Sequence, residues 1–140
     1  MAKGKLPRWM WMYAPGKAKG AKLPESLKAE VEKEAEALMQ EWRSIYIKQP
    51  PKDKRFNYIE ALYTKWYRNY FYFCARYACP GPEAISPHFE AKFTRLEYIG
   101  NGLLNLAFMR HTGRWVEVET GLSVTKCFQS IRSDVFYHPS

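Results

Sequence analysis

The sequence predicts an α+β domain: a long N-terminal helix, a five-stranded antiparallel meander and a short C-terminal helix, preceded by a basic extended arm. Three observations carry that expectation. Apolar residues recur at helical spacing after Pro24, two aromatic runs flank Arg68-Asn69, and glycine-bearing turns at Gly100-Asn101-Gly102 and Thr112-Gly113 divide the last third. A chain of 140 residues can bury one sizeable core, so the expected organisation is a basic aromatic arm over residues 1–23 and a single domain over 24–140. With 46% hydrophobic and 16% aromatic residues, the chain after the arm is too apolar to stay disordered.

The first helix is expected to open at Pro24 and Glu25. Proline has no N–H to lose in a first turn, and a carboxylate there meets the positive end of the helix dipole. Leu27, Val31, Ala35, Leu38, Trp42 and Ile45 then form one apolar stripe, with Glu30, Lys33, Glu34, Glu36 and Glu41 on the opposite side. The helix should end before Pro50-Pro51, and a basic linker from Lys48 to Arg55 follows.

The stretch Phe56 to Cys79 admits two periods, because Ile59, Leu62, Tyr63, Trp66, Tyr70 and Cys74 would also fit a helix face. Its richness in Tyr, Phe and Trp favours a pleated surface, and Arg68-Asn69 stands where a tight turn would. A hairpin is therefore expected, Tyr58 to Tyr67 and Tyr70 to Ala78. On its second strand Phe71, Phe73, Ala75 and Tyr77 share one face, while Tyr70, Tyr72, Cys74 and Arg76 share the other. One face must fill the core, and Tyr70, Tyr72 and Trp66 are the rings expected to stay exposed.

Beyond a proline-punctuated loop, Cys79 to Pro87, Phe89 to Ile99 and Leu103 to Arg110 read as strands joined through Asn101-Gly102, residues that tolerate positive φ. Thr112-Gly113 turns the chain into Trp115 to Glu119. Ser123 can cap a last helix in which Val124, Cys127, Phe128 and Ile131 fall at i, i+3, i+4 and i+7.

This order resembles a small bacterial family of unknown function, catalogued as domain of unknown function 3024. The features that carry the likeness are a long helix, an aromatic hairpin and a proline-rich loop. They continue with a strand ending Ala-Lys-Phe-Thr-Arg-Leu-Glu-Tyr, a strand running Leu-Ala-Phe-Met-Arg, the turn into Gly-Arg-Trp-Val-Glu-Val, and a short helix. The likeness spans roughly Glu25 to Tyr137 and leaves the arm outside. It implies the fold, and it brings no activity or site residue with it.

Charge is distributed by segment. The formal net charge is +8, yet the helical segment Glu25 to Ile47 is acidic, and the arm holds Lys3, Lys5, Arg8, Lys17, Lys19 and Lys22 with no Asp or Glu. Trp9, Trp11 and Tyr13 are interleaved there. An acid-free basic segment attracts polyanions, and flat aromatic faces stack on unpaired bases. The expected function is non-enzymatic nucleic-acid binding, with RNA favoured over DNA and protein subunits of a larger complex as further partners. Phosphate contacts fall to the arm cations and to Lys52, Lys54 and Arg55, with Lys65 and Arg68 beside the aromatic hairpin. The alternative is a protein-interaction module whose arm docks on its own sheet or on a partner.

Other chemistries are thinner. Glu90-Ala-Lys92 reproduces half of a nuclease motif, but the preceding strand holds no acid to complete it. Cys74, Cys79, Cys127 and the three histidines lack paired metal-ligand spacing, and the buried strand and helix positions of Cys74 and Cys127 suit small hydrophobes. No glycine loop cradles a phosphate, so no cofactor and no metal is expected. An odd cysteine count without a secretory segment points to a reducing cytoplasm. Pro7, Pro15, Gly16 and Gly20 break any amphipathic helix in the arm, so no membrane partner is expected.

Overall fold

A computed structural model describes residues 21–48 and 50–139. Strands Tyr58–Tyr67 (β1), Tyr70–Ala78 (β2), His88–Gly100 (β3), Leu103–Met109 (β4) and Trp115–Leu122 (β5) form one antiparallel sheet in sequence order. Helix α1 spans Glu25–Tyr46 and helix α2 spans Val124–Ser133, with a 3-10 turn at Val135–Tyr137 closing the fold. The α+β meander read from the sequence is therefore the fold. Among the described residues no helix is long and apolar enough to cross a membrane.

Pro24 is the N-cap of α1, extended at φ −68° and ψ 142°, and its carbonyl takes the amide of Lys28. The helix begins at Glu25, one residue later than a proline in the first turn would place it. Val31, Ala35, Leu38, Met39 and Trp42 are buried along its stripe. Ile45 departs from the expected stripe and is exposed, because Tyr46, one turn beyond Trp42, takes the inward position and meets His138.

Both helices pack on one face of the sheet and share a single core. Trp42 is its junction. Its ring lies 6.0 Å from Phe73 of β2, 5.8 Å from Phe93 of β3 and 4.9 Å from His138 beyond the 3-10 turn. His138 is fixed from both sides, its Nδ1 2.9 Å from the Tyr46 hydroxyl and its Nε2 2.8 Å from the Ile131 carbonyl. Buried Thr94 of β3 donates its hydroxyl to the Tyr137 carbonyl at 2.8 Å, so the C-terminal turn is tied to the sheet as well as packed on it.

Hairpin turns set the register. Tyr67 faces Tyr70 across Arg68-Asn69, and Arg68 takes φ 55°, a conformation such turns more often give to Gly or Asn. Asn101 has φ 56° and Gly102 φ 74°, as the Asn-Gly signal predicts. Bulges interrupt every ladder, between Phe73 and Cys74 in β2–β3 and twice between β4 and β5. At the irregularity between Leu104 and Leu106, buried Asn105 bridges to β5 through its side chain: its Oδ1 accepts from Gly121 N at 3.0 Å, while its Nδ2 donates to Glu117 at 3.2 Å.

Two stability predictions follow from this packing. Trp42→Ala should lower unfolding free energy by about 3–5 kcal/mol in urea denaturation, the usual cost of emptying a core aromatic site. Asn105→Ala should cost about 1–3 kcal/mol, because the buried side chain that makes both the Gly121 and the Glu117 hydrogen bonds is lost.

Candidate functional site

With both helices on one side, the second face of the sheet is formed, among the described residues, by alternate strand residues. Cross-strand pairing aligns Lys65, Tyr72, Arg95, Ala107 and Glu117 in one row across all five strands. Neighbouring rows add Tyr63, Cys74 and Lys92 on one side, and Tyr67, Tyr70 and Glu97 on the other.

The middle of this face is an aromatic shelf around a guanidinium. Tyr70 and Tyr72 are stacked at 6.0 Å, and Trp115 of β5 reaches Tyr72 at 5.8 Å. Ala107 of β4 lies in the same row between Arg95 and β5, and its small side chain leaves room for the indole to reach across β4. Arg95 sits 4.9 Å from the Tyr70 ring and 4.8 Å from the Trp115 ring, so two π faces hold its planar group. Lys92 lies 5.6 Å from Tyr72.

Two carboxylates neutralise most of the other cations. Glu90 accepts from the Tyr63 hydroxyl and from Lys65 at 2.9 Å, with Lys92 at 3.5 Å. The Tyr63 hydrogen bond, followed by that of Lys65, pulls the Glu90 carboxyl down to about 2, while burial and the same carboxylate push the Tyr63 phenol up. Glu60 pairs with Arg76 at 2.8 Å and with His88 at 2.7 Å. Arg95, by contrast, makes no ion pair among the described residues, so its charge is the uncompensated one at the centre of the shelf.

The same geometry bears on the other chemistries. Glu90 and Lys92 point to the open face, but the Glu90 oxygens are already taken by Tyr63 and Lys65. Among the described residues no three His, Cys, Asp or Glu side chains converge as a metal site. Burial pushes the Cys74 thiol up to about 11 and the Cys127 thiol up to about 12, which suppresses the thiolate that a ligand or nucleophile needs.

The candidate residues read from the sequence are dispersed by the fold. Lys3, Lys5, Arg8, Trp9, Trp11, Tyr13, Lys17 and Lys19 lie outside the described residues. Lys22 is exposed at the start of α1, beside Ala21, whose carbonyl takes the Asn69 amide at 2.6 Å; Arg68 is in the same turn. Lys65 is on the open face. Lys52, Lys54 and Arg55 precede β1 at the opposite end of the sheet, so they do not join the Lys22 and Arg68 group.

Trp66 corrects the expectation that it stays on the exposed side with Tyr70 and Tyr72. The two-residue turn sets it opposite Phe71, on the helix-covered face, where its ring lies 4.7 Å from Phe71 and its Nε1 donates to Glu32 of α1 at 2.8 Å. Arg95, Tyr63 and Trp115 are site residues the sequence reading did not single out, and Lys92 entered it only as half of a nuclease motif. Alternation on β3 around buried Leu96 was the available signal for Arg95; the reach of Trp115 across Ala107 had none.

Fold and face together define a small α+β protein that covers one side of its sheet with helices and presents the other as an aromatic and cationic surface. The chain belongs to the family described as Domain of unknown function (DUF3024), whose profile matches residues 23–138. No curated protein and no solved structure matches it.

The Glu90 cluster yields a pH prediction. A carboxyl depressed in the folded state stabilises fully above its unfolded value near 4.5, and that contribution is lost as pH falls through the folded value near 2. Carboxyl-detected NMR should place the Glu90 midpoint near 2, and Glu90→Gln should flatten the loss of stability between those two pH values.

Proposed function

We propose that this protein binds single-stranded nucleic acid, RNA in preference to DNA, on the open face of its sheet. The observation that supports this most directly is Arg95, without an ion pair among the described residues and held between Tyr70 and Trp115 at 4.9 and 4.8 Å. Unpaired bases stack on aromatic rings and on guanidinium planes, and a guanidinium also offers paired donors to a phosphate. Tyr70, Tyr72 and Trp115 supply a run of such faces at spacings near 6 Å.

The acid-free basic segment adds a sequence-independent phosphate grip. Near its end, the Ala21 carbonyl accepts from Asn69, at the same end of the sheet as Tyr67 and Tyr70. Lys52, Lys54 and Arg55 have no part in this reading, since the sheet separates them from that end.

Fluorescence anisotropy with a labelled single-stranded RNA, its DNA counterpart and the corresponding duplex, across a salt series, tests the reading. The expected result is preference for the single strand, affinity falling steeply with salt, and losses of about tenfold for Arg95→Ala and for Trp115→Ala, in line with one lost stacking partner. Lys126→Ala, on the far side of the molecule, should change little. Absence of binding at low salt sinks the proposal. Binding that ignores both shelf variants removes the sheet face from it.

A further inference from the structure

The end of the sheet opposite Asn69 carries a separate surface. Of the large apolar side chains exposed among the described residues, Phe56, Ile85 and Phe89 lie there. They come from the approach to β1, the β2–β3 loop and the start of β3, whereas Val135 and Phe136 line a different recess with Phe108 and His111. Exposed apolar side chains drawn from neighbouring segments around one cleft mark a contact surface, whereas solitary exposed apolar residues need no explanation.

Within it lies a cleft of about 690 Å³ between residues 55–57 and the loop of residues 79–86, with Cys79, Pro82, Ile85 and Phe89 among its walls. The walls are preformed. The Cys79 amide closes the loop on the Pro87 carbonyl at 2.7 Å, and Gly81 sits so close to the preceding segment that a Cβ would lie 3.2 Å from the Lys54 carbonyl oxygen. Phe89 is stacked on Tyr77 at 4.9 Å, which fixes the deep wall.

The rim is positive. Asp53 is the sole acid of the segment before β1, and Arg55 takes both its oxygens, at 2.6 Å through Nη2 and 3.0 Å through Nε. Lys52 and Lys54 are thus exposed without ion pairs among the described residues, in the segment whose Arg55 and Asn57 form one wall of the cleft, and Glu83 is the acid of the other wall. A recess admits individual side chains, which a flat lipid surface does not supply, and uncompensated lysines select for carboxylates.

We infer that this cleft docks a segment of another protein, one that carries apolar anchor residues among Asp and Glu. The surface lies beyond the ends of the helices, on the side away from the aromatic shelf, so the inference stands whether or not the shelf binds nucleic acid.

The test uses the full chain and a panel of fluorescein-labelled nonapeptides. Each holds two Leu or Phe anchors, at spacings from adjacent to four apart, in an Asp/Glu background; a matched panel has Lys in place of the acids. Saturable binding of at least one acidic peptide is expected, with its Lys counterpart about tenfold weaker. Lys52→Glu combined with Lys54→Glu, and separately Phe89→Ala, should each weaken it about tenfold, while Val118→Ser on β5 should leave it unchanged. Thermal melts of the variants identify any that fail to fold, and Ile85→Ser, fully exposed and outside the core, provides a variant whose folding is not at issue. Acidic and basic panels binding equally, indifference to the lysine reversals, or retention on phosphatidylserine vesicles in place of any peptide would each overturn the inference.

Discussion

A five-stranded sheet has two faces, and the helices of this chain cover one. Every other property of the molecule follows from how the uncovered face is made tolerable to water. Phe71, Phe73, Leu96, Leu104 and Leu106 turn toward α1 and α2, while their sequence neighbours Tyr70, Tyr72, Arg95 and Glu97 turn away. Rings with hydroxyls and long charged side chains shield the backbone ladder without creating a large greasy patch. The same choice creates a surface of stacked rings and cations, so the residues that shield the backbone and those that give the face its aromatic and cationic character are here the same.

That identity explains why the role of the face rests on one residue more than on the composition of the whole. Glu90 and Glu60 cancel Lys65 and Arg76 locally, so those cations leave little net charge on the face. Arg95 is different because the rings beside it attract it without neutralising it. The field of the open face is therefore concentrated at one point, in the middle of its aromatic strip.

Much of the fold was legible because local signals and global demands agree. The stripe from Val31 to Trp42, the Asn101-Gly102 turn and the Ser123 cap each follow from spacing or from one residue's chemistry. Trp66 was misplaced because alternation within one strand does not say which face is which; only the Trp66–Phe71 pairing across the turn does. The bulges were invisible, since they depend on how strands of unequal length share a twist. His138 locking Tyr46 to Ile131 was invisible for another reason: it joins residues far apart in the chain through a turn with no sequence signature. Of the candidate site, the tyrosines of β2 were readable and the Arg95–Trp115 contact was not, because it crosses β4 through the smallness of Ala107.

The Arg43 side chain, which leaves α1 to place Nε and Nη2 at 3.2 and 3.0 Å from the Leu62 carbonyl, has a consequence for association between copies. Leu62 lies on β1, one of the two border strands of the sheet. A foreign strand approaching that border meets a carbonyl already doubly engaged and a bulky cation lying across it. Endless stacking of sheets requires two receptive borders per molecule. With one of them obstructed, any border-to-border pairing at β5 would terminate at two copies, which guards an aromatic-rich chain against fibrous growth.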